Sequence, residues 1–553
     1  MPCQLAPSGR NRCELRSALH LLLGAMQYLT APLCVSPAIS CVMVEAMNSR
    51  AFHASFLLIL LLALWMRLDG LTLRPMHGDE ANQAYRLGEL LETGVSTYDP
   101  RDFHGPALFQ VAGPIMRACG VRNFAELSVA HLRGFTVAIS MLGIAALWLL
   151  RGLLPSPALL LGALAIALSP AQVFYSRYFI HEPLLVTSSL LFIYFLWQGR
   201  GRRDAILAGL FLGVMHASKE TFVFVLLSAL IAAWITGRLR PRALVPMAAT
   251  FLLTTGLLHS NFLRTPQGLV DAGRAYAYCV QRAFGSADFE AGLTEGAGHV
   301  KPPQYYAQIL AWNYEVKPER IPRTLWRNSA TRPLTEVLLL LLFVVGAIRA
   351  RTPFLRFAAI HGAILFVIYS LIPYKTPWCV LGPWHIMLIV AGAGAWRIIC
   401  GVRNRGLRIA VALLLGIGFA DFARQNELHR DVLAANDRNP FVYSHSVDDV
   451  VGIGALVREI SALHPAALGM PVWVVTTDYW PLPWYFRELR KVGYFEGEIP
   501  EGIEEVPLVI GANGQVDLEA THVPSLRGLR PGVHLGLWVR RDLWERYLAL
   551  RTR

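Results

Sequence analysis

The residues of this sequence that could do chemistry are few, and the first are two adjacent carboxylates, Asp79 and Glu80. They open a polar stretch, residues 76–106 (MHGDEANQAYRLGELLETGVSTYDPRDFHGP), which ends in a His-Gly-Pro turn at residues 104–106. An ionised carboxylate can take a proton from an attacking hydroxyl, so this pair could supply a general base. Asp79 has a structural alternative, because Asp caps a helix N-terminus well and the residues after it have helical spacing.

Three further short stretches carry polar side chains between apolar segments. They are SRYFIHEP at 176–183 with Arg177, His181 and Glu182, HASKET at 216–221 with Lys219 and Glu220, and YKTPW at 374–378 with Tyr374 and Lys375. Ionisable residues at membrane depth are costly and therefore mark functional sites. The three cations could bind a phosphate while their stems lie in hydrocarbon. His181 and Glu182 could bind a sugar or, with an acid of the first loop, a divalent ion.

Each of these residues also has a structural interpretation. Lys219 and Glu220 could form an ion pair at a helix end, and His181 could be a hydrogen-bonded interfacial histidine. Lys375 could extend toward the interface beside Trp378 and Trp384. No tight ligand spacing such as HExxH is present, so no metal ligands are assigned, and a divalent cofactor stays open.

The elements that must position these residues are membrane helices. Of the 553 residues, 54% are hydrophobic and only 16% are charged, and the mean hydropathy is +0.42. These values predict a polytopic α-helical membrane protein. The net charge of +13 comes largely from arginines that lie between apolar runs, and this distribution argues against a nucleic-acid partner.

Eleven apolar runs follow residue 52, and they predict about eleven transmembrane helices. The runs are residues 52–68, 129–150, 157–173, 183–198, 204–217, 221–236, 243–259, 334–349, 355–373, 381–399 and 407–421. Several are shorter than the ~20 residues that cross a bilayer, so their ends are approximate.

Charge asymmetry between the connecting loops predicts the orientation. One set of loops carries fourteen arginines, whereas the opposite short loops carry only Arg177, Lys219 and Lys375. The positive-inside rule then places the N-terminus in the cytoplasm and the C-terminus outside, in a multi-pass protein of the cytoplasmic membrane. The loops 69–128 and 260–333 are expected on the outer face, with a short helix near residues 304–312.

The two ends of the chain differ from its apolar middle, residues 47–421. Residues 1–46 are either a leader or an over-long gene start, since Met47 precedes the first clear span. Residues 422–553 are expected to form a small soluble extracytoplasmic α/β domain. Its predicted elements are strands at 472–477, 506–510 and 533–539 and helices at 450–460 and 541–550. Its aromatic stretch DYWPLPWYF (478–486) could hold a glycan or lie at the membrane interface.

Taken in order, HGDEANQAY, HGPALFQ, SRYFIHEPLL and SKET resemble the GT-C glycosyltransferases. The resemblance covers residues 52–421 and is strongest to the protein O-mannosyltransferase and lipid A aminoarabinose transferase type, which is family 39-like. It implies a lipid-phosphate-linked sugar donor used on the outer face. The family's first-loop acid maps onto Asp79 or Glu80, and its second-loop acid onto Glu182. The closing turn has Gly105 where His-Pro-Pro is common, which leaves the role of His104 open.

The resemblance implies a membrane glycosyltransferase that moves a sugar, with inversion, from a polyprenyl-phosphate-linked donor to a glycan, lipid or protein acceptor. Asp79 is the expected base, with Glu80 and Glu182 as further catalytic residues. The expected substrate-binding residues are His104, Arg177, His181, Lys219, Glu220, Tyr374 and Lys375. The alternatives are a transporter or flippase and a non-catalytic envelope-assembly protein. The sequence has no repeated halves, which argues against the transporter.

Overall fold

The computed structural model describes residues 48–96, 98–100, 104–284, 299–311, 335–436 and 438–551, so the predicted leader at 1–46 lies outside it. The helices of the first half are α1 (Ser49–Leu68), α2 (Gly78–Thr93), α3 (Ala107–Ala118), α4 (Val129–Ala146), α5 (Ser156–Leu168), α6 (Pro170–Tyr175), α7 (Glu182–Gln198), α8 (Arg202–Ser218), α9 (Phe222–Ile235), α10 (Pro241–His259) and α11 (Gln267–Phe284). Next come α12 (Tyr305–Ala311), α13 (Val337–Ile348), α14 (Pro353–Leu371), α15 (Leu381–Gly401) and α16 (Arg405–Arg430).

The C-terminal elements are α17 (Asp449–Leu463), β1 (Val472–Val475), α18 (Leu482–Tyr485), β2 (Val492–Tyr494), β3 (Leu508–Ala512), β4 (His522–Arg530), β5 (Val533–Arg540) and α19 (Arg541–Arg551). Short 3-10 turns include Leu147–Gly152, which extends α4, and Pro377–Val380, which precedes α15.

Each predicted apolar run coincides with one of these helices except 157–173, and the chain is a multi-pass membrane protein. Six of the described helical segments are long and apolar enough to cross a bilayer: Ser49–Leu68, Val129–Gly152, Pro241–His259, Pro353–Leu371, Pro377–Gly401 and Arg405–Arg430. Eleven crossings therefore stay a prediction. The run 157–173 divides into α5 and α6, because Pro170 cannot continue a helix but fits its first position, with Ser169 as the N-cap.

Helix α15 lies at the centre of the bundle and packs on α5 and α13 through glycines. A Cβ on Gly392 would overlap the backbone of Gly162, and one on Gly394 would overlap the carbonyl oxygen of Leu342. Small residues allow the close helix approach that holds bundles together in lipid, where the hydrophobic effect does little.

Two buried polar side chains also join the helices. Arg67 of α1 donates to the carbonyls of Ala167 (3.1 Å) and Ile166 (3.2 Å) at the end of α5. The carboxylate of Glu336 accepts from the Ala171 backbone (2.8 Å) and the Trp384 indole (3.0 Å). The bonds to Ala167, Ile166 and Ala171 satisfy backbone groups that helix ends leave without partners.

The C-terminal domain is a five-stranded mixed sheet in the order β2-β1-β3-β5-β4. Strand β1 is parallel to β2 and β3, and β5 is antiparallel to β3 and β4. The three predicted strands and two predicted helices are confirmed. The sequence missed β2, which has three residues, and β4 (HVPSLRGLR), whose Pro and Gly are unfavourable in strands.

The bundle and the sheet domain are joined by more contacts than the sequence predicts. Helix α16 continues to Arg430, so the predicted boundary at residue 421 lies within a helix. The segment 438–448, which precedes α17, returns to the bundle and packs against residues 76–77 at the start of α2.

Candidate functional site

Helix α2 fixes the position of the predicted base. Its N-cap is His77, whose Nδ1 accepts from the Asp79 backbone N–H (3.0 Å), while Glu80 accepts from the His77 N–H (3.3 Å) in a capping box. The alternative that Asp79 caps the helix is therefore wrong. Asp79 occupies the second helical position, where its carboxylate is exposed and makes no hydrogen bond or ion pair with the described residues.

Glu80 is buried in what we call the Glu80 cluster, formed with Arg74 and Arg133. Arg133 donates to both carboxylate oxygens, at 2.9 and 2.8 Å, and the Phe179 backbone N–H donates at 3.1 Å. Burial by itself would raise the pKa of Glu80, but Arg133 and Arg74 lower it to about 2. Glu80 is ionised and saturated with donors, so it anchors α2 to the bundle.

A second group of charges, the Glu182 cluster, contains His104, His181, Glu182, Lys219 and Glu220. Lys219 pairs with Glu182, and the Nδ1 of His104 lies 2.9 Å from a Glu220 carboxylate oxygen. The alternative of a Lys219–Glu220 ion pair is thus replaced by two pairs between different loops. Burial favours a raised pKa for Glu220, but His104 lowers it to about 2.

Gly105 brings the closing turn of the first loop onto this cluster. Its Cα packs on the backbone of Ala217, where a Cβ would overlap the carbonyl oxygen. The Gly105 carbonyl accepts from Nε2 of His181 (3.1 Å), and the rings of His104 and His181 are 5.4 Å apart. Burial, with His104 and Lys219 nearby, keeps the pKa of His181 well below its usual value. His181 is therefore a neutral hydrogen-bond donor.

The described partners of Lys375 are backbone carbonyls. Its ammonium donates to the carbonyls of Lys301 (2.9 Å) and Ile372, and it makes no ion pair within the described part of the chain. The Tyr374 ring stacks on His299 with a centroid distance of 4.4 Å and an interplanar angle of 11°. A segment of the long 260–333 loop thus holds both predicted residues.

The turn Pro377–Val380 connects α2 with the Glu182 cluster. The Trp378 ring lies edge-on to His77, with centroids 6.0 Å apart. The next residue, Cys379, places its Sγ 3.8 Å from Nζ of Lys219. One short turn therefore touches both the N-cap of the helix that bears Asp79 and the Lys219–Glu182 pair.

The C-terminal region holds the start of α2 through three bonds. The Tyr443 carbonyl accepts from His77 Nε2 (2.9 Å), Ser446 Oγ donates to the Met76 carbonyl (2.8 Å), and the Met76 N–H donates to the Tyr485 hydroxyl (3.0 Å). In the stretch 478–486, Trp484 is buried against Phe124 of the first loop. These aromatic residues support the first loop, a role that the sequence analysis did not anticipate.

Arg177 lies in a different place from the other predicted phosphate ligands. It donates to the carbonyl of Asp69 (2.7 Å) and lines a cleft with Arg74, His429 and Arg430. None of its hydrogen bonds to described residues joins the Glu182 cluster.

Sequence reasoning missed the residues that support the site. Arg133 carried a usable signal, because it is an arginine inside the apolar run 129–150. His77 and Tyr443 carried none, since their contact joins positions 366 residues apart. Within the described ranges, no group of three or more His, Cys, Asp or Glu side chains is placed to hold a metal ion.

Comparisons with known proteins support the fold. Residues 117–260 match the family described as dolichyl-phosphate-mannose-protein mannosyltransferase. The crystal structure of ArnT from Cupriavidus metallidurans bound to undecaprenyl phosphate matches with a TM-score of 0.57 and 14% identity, over 90% of this chain and 99% of that chain. The apo form of ArnT gives 0.55 and 13%, over 89% and 99%.

The apo oligosaccharyltransferase of Archaeoglobus fulgidus matches with a TM-score of 0.51 and 12% identity, over 84% of this chain and 70% of that chain. A comparison with curated proteins finds no match. The predicted resemblance to the GT-C superfamily is confirmed, and the chain has an ArnT-like fold with a small C-terminal sheet domain.

Proposed function

We propose that this GT-C-fold membrane protein is a glycosyltransferase that moves a sugar from a polyprenyl-phosphate-linked donor to an acceptor, with inversion and with Asp79 as general base. The observation that carries the proposal is the contrast within one helical turn. Glu80 is buried and saturated, whereas Asp79, on the same anchored helix, is exposed and has no partner among the described residues. An ionised carboxylate that is free of partners but held by a rigid support suits proton abstraction.

The reaction would be a single displacement. The acceptor oxygen or nitrogen attacks the anomeric carbon while the bond from that carbon to the donor phosphate oxygen breaks. The acceptor proton passes to the Asp79 carboxylate, and the electron pair leaves with the polyprenyl phosphate. Attack opposite the leaving group inverts the anomeric centre.

The departing phosphate gains negative charge and needs cations near it. Lys375 is our first candidate, because its ammonium has only carbonyl partners within the described structure. Lys219 and His104 are further candidates, since each could exchange its carboxylate partner for a phosphate oxygen. Tyr374, stacked beside Lys375, would line the same region.

The remaining members of the Glu182 cluster would bind the sugar. Glu182 and Glu220 can accept hydrogen bonds from sugar hydroxyls, and neutral His181 can accept one through Nδ1 while Nε2 stays bonded to Gly105. We place Glu182 as the second acid of the site. Because it pairs with Lys219, the residue that would bind the sugar lies next to a residue that could bind the donor phosphate. Membrane lipid surrounds the bundle, and the acceptor is a glycan, lipid or protein.

The binding of undecaprenyl phosphate by ArnT, a protein of similar fold, supports a polyprenyl carrier here. We infer from the loop arginines that the reaction takes place on the outer face of the cytoplasmic membrane. A C-terminal fusion tests this orientation. A periplasmic reporter is expected to be active, and activity of a cytoplasmic reporter alone would place Asp79 on the wrong side.

The decisive experiment supplies purified protein with a panel of radiolabelled polyprenyl-phosphate hexoses and pentoses. We expect one donor to be consumed, and the Asp79→Asn variant to turn it over about 10²–10⁴-fold more slowly because Asn cannot accept the proton. The thermal unfolding of this variant should match that of the wild type, since Asp79 has no partner to lose in the part of the chain that the structure describes.

Glu89→Gln is the matched control, because Glu89 lies on α2 and forms only an ion pair with Arg86. It should retain normal turnover. Equal turnover by wild type and Asp79→Asn would remove Asp79 as the base. Failure to consume any donor of the panel would favour the transporter or assembly alternatives.

A further inference from the structure

A narrow cleft lies between the end of α1, the end of α6 and the end of α16. Neither Asp79 nor any residue of the Glu182 cluster lines it. The polar side chains that line it are four arginines, one histidine and one asparagine: Arg74, Arg133, Arg177, Arg430, His429 and Asn426.

The positive charge of the cleft is not fully balanced. Arg133 and Arg74 share the single carboxylate of Glu80, and Arg430 pairs with Asp69 and Asp431. Arg177 makes no ion pair within the described chain. Four guanidinium groups therefore face three carboxylates, which leaves one positive charge in excess.

Several donors of the cleft also lack acceptors. His429 is 3% exposed, and neither ring nitrogen has a hydrogen-bond partner among the described residues. The Nε of Arg74 is buried without a partner. Arg177 uses Nη2 to bond the Asp69 carbonyl, and its Nε and Nη1 donate to no described residue. Unpaired buried donors are costly, so the arrangement favours a ligand rich in acceptor oxygens.

The electrostatics agree with this geometry. Burial, followed by repulsion from Arg74 and Arg133, lowers the pKa of Arg177 to about 9. Burial also lowers the pKa of Arg74, to about 10, with a further contribution from Arg133. A bound anion would oppose both effects, because an opposite charge stabilises the protonated guanidinium.

We propose that this cleft is a second anion site, separate from the donor site, that binds a phosphate group. Arginine forks and a histidine N–H approach from three elements, and a phosphate has enough oxygens to accept from all of them. The cleft adjoins α1 and α16, whose apolar windows are only 28% and 17% buried by the rest of the protein. These helices face lipid, so the phosphate is either that of a lipid headgroup or a soluble phosphate.

Thermal unfolding of the purified full-length protein in an uncharged detergent tests the site. Inorganic phosphate is titrated at constant ionic strength against chloride. We expect phosphate to raise the Tm of the wild type, and the midpoint concentration to rise at least about tenfold in Arg177→Gln and in His429→Phe, since each loses a donor to the anion. Arg177→Lys retains the charge, so its midpoint concentration should lie between those of the wild type and Arg177→Gln.

Arg458→Gln is the charge-matched control, because Arg458 is exposed on α17 of the sheet domain. In Lys375→Ala, which weakens the proposed donor site, phosphate should still raise the Tm, and the added Arg177→Gln substitution should still shift the midpoint of that rise. The proposal is overturned if phosphate acts no differently from chloride on the wild type. It is also overturned if the effect survives in Arg177→Gln and His429→Phe, or disappears in Lys375→Ala.

A lipid comparison then identifies the source of the phosphate. Wild type and Arg177→Gln are placed in nanodiscs of phosphatidylcholine alone or with phosphatidylglycerol. Stabilisation of the wild type by the anionic lipid, absent in Arg177→Gln, assigns the cleft to a lipid headgroup. Equal Tm values in both lipids, together with a response to inorganic phosphate, assign it to a soluble phosphate.

Discussion

The Glu80 cluster and the Glu182 cluster both pair carboxylates with cations, yet their hydrogen-bonding capacity is used differently. Glu80 is fully buried and accepts four hydrogen bonds, two from Arg133 and one each from the backbones of His77 and Phe179. In the Glu182 cluster, each described ion pair joins two side chains, and His104 is 38% exposed. The Lys219–Glu182 pair is buried, whereas the His104–Glu220 pair is partly exposed. A saturated cluster fixes a helix, and a partly exposed pair such as His104–Glu220 can exchange a partner for a ligand.

The helix N-cap explains why the adjacent acids Asp79 and Glu80 differ in burial. The N-cap at His77 directs the third helical residue, Glu80, back toward the cap and into the bundle. The second residue, Asp79, then faces away. Glu80 anchors the helix, and the carboxylate of Asp79 is therefore left available for the proposed reaction.

The largest effect should come from breaking the saturated cluster. Arg133→Met would leave the Glu80 charge buried with only Arg74 near it, at a cost of about 3–5 kcal/mol in the free energy of unfolding. Thermal or denaturant unfolding of the purified protein measures this loss. Arg151→Met is the control, since Arg151 is exposed and bonds only its own helical turn. A wild-type Tm for Arg133→Met would show that Glu80 does not anchor α2.

A pH titration should isolate the contribution of Glu80. Its pKa of about 2 in the folded protein lies below the ordinary value of 4.5, so its stabilisation is complete above pH 4.5 and is lost as the pH falls toward 2. The full loss is on the order of 3 kcal/mol. The free energy of unfolding, measured from pH 7 to pH 3, should therefore fall more steeply for the wild type than for Glu80→Gln. Parallel curves would contradict the low pKa.

Gly105→Ala should disturb the Glu182 cluster without removing any of its side chains. The added Cβ would overlap the Ala217 carbonyl, so the turn must shift, at a cost of about 1–3 kcal/mol. We expect lower stability and a higher KM for the donor, because His104 moves with the turn. Gly134→Ala is the control, as a Cβ there meets nothing within 4 Å. Matching behaviour of the two variants would mean that the turn is not tightly packed.

The smallest effect expected is that of Lys375. Lys375→Ala should raise the donor KM by roughly tenfold, and Lys375→Arg should raise it less, because Arg retains positive charge near the phosphate. Initial-rate kinetics with the identified donor measure both. Lys491→Ala, which removes an exposed cation of the sheet domain, is the control. If Lys375→Ala and Lys375→Arg both behave like wild type, Lys375 is an interfacial anchor, and Trp378 should matter as much.

The sequence by itself determined the elements that arise from local pattern. Apolar runs gave a helix at each predicted span, and short alternating segments gave β1, β3 and β5. The sequence also predicted that the loops carrying His181, Glu182, Lys219 and Glu220 lie at one end of the bundle, because helix direction puts alternate loops on the same side. Element type follows from neighbours in the chain, so one sequence suffices to read it.

Only the tertiary structure decided which partner each charge takes. Glu80 pairs with Arg133, 53 residues away, and Lys219 with Glu182 rather than with its neighbour Glu220. The hydrogen bond between His77 and the Tyr443 carbonyl joins residues 366 positions apart. Arg177 lies in a separate cleft. These outcomes depend on how helices pack and where the chain after α16 returns. No periodicity or spacing within a single segment encodes such distances.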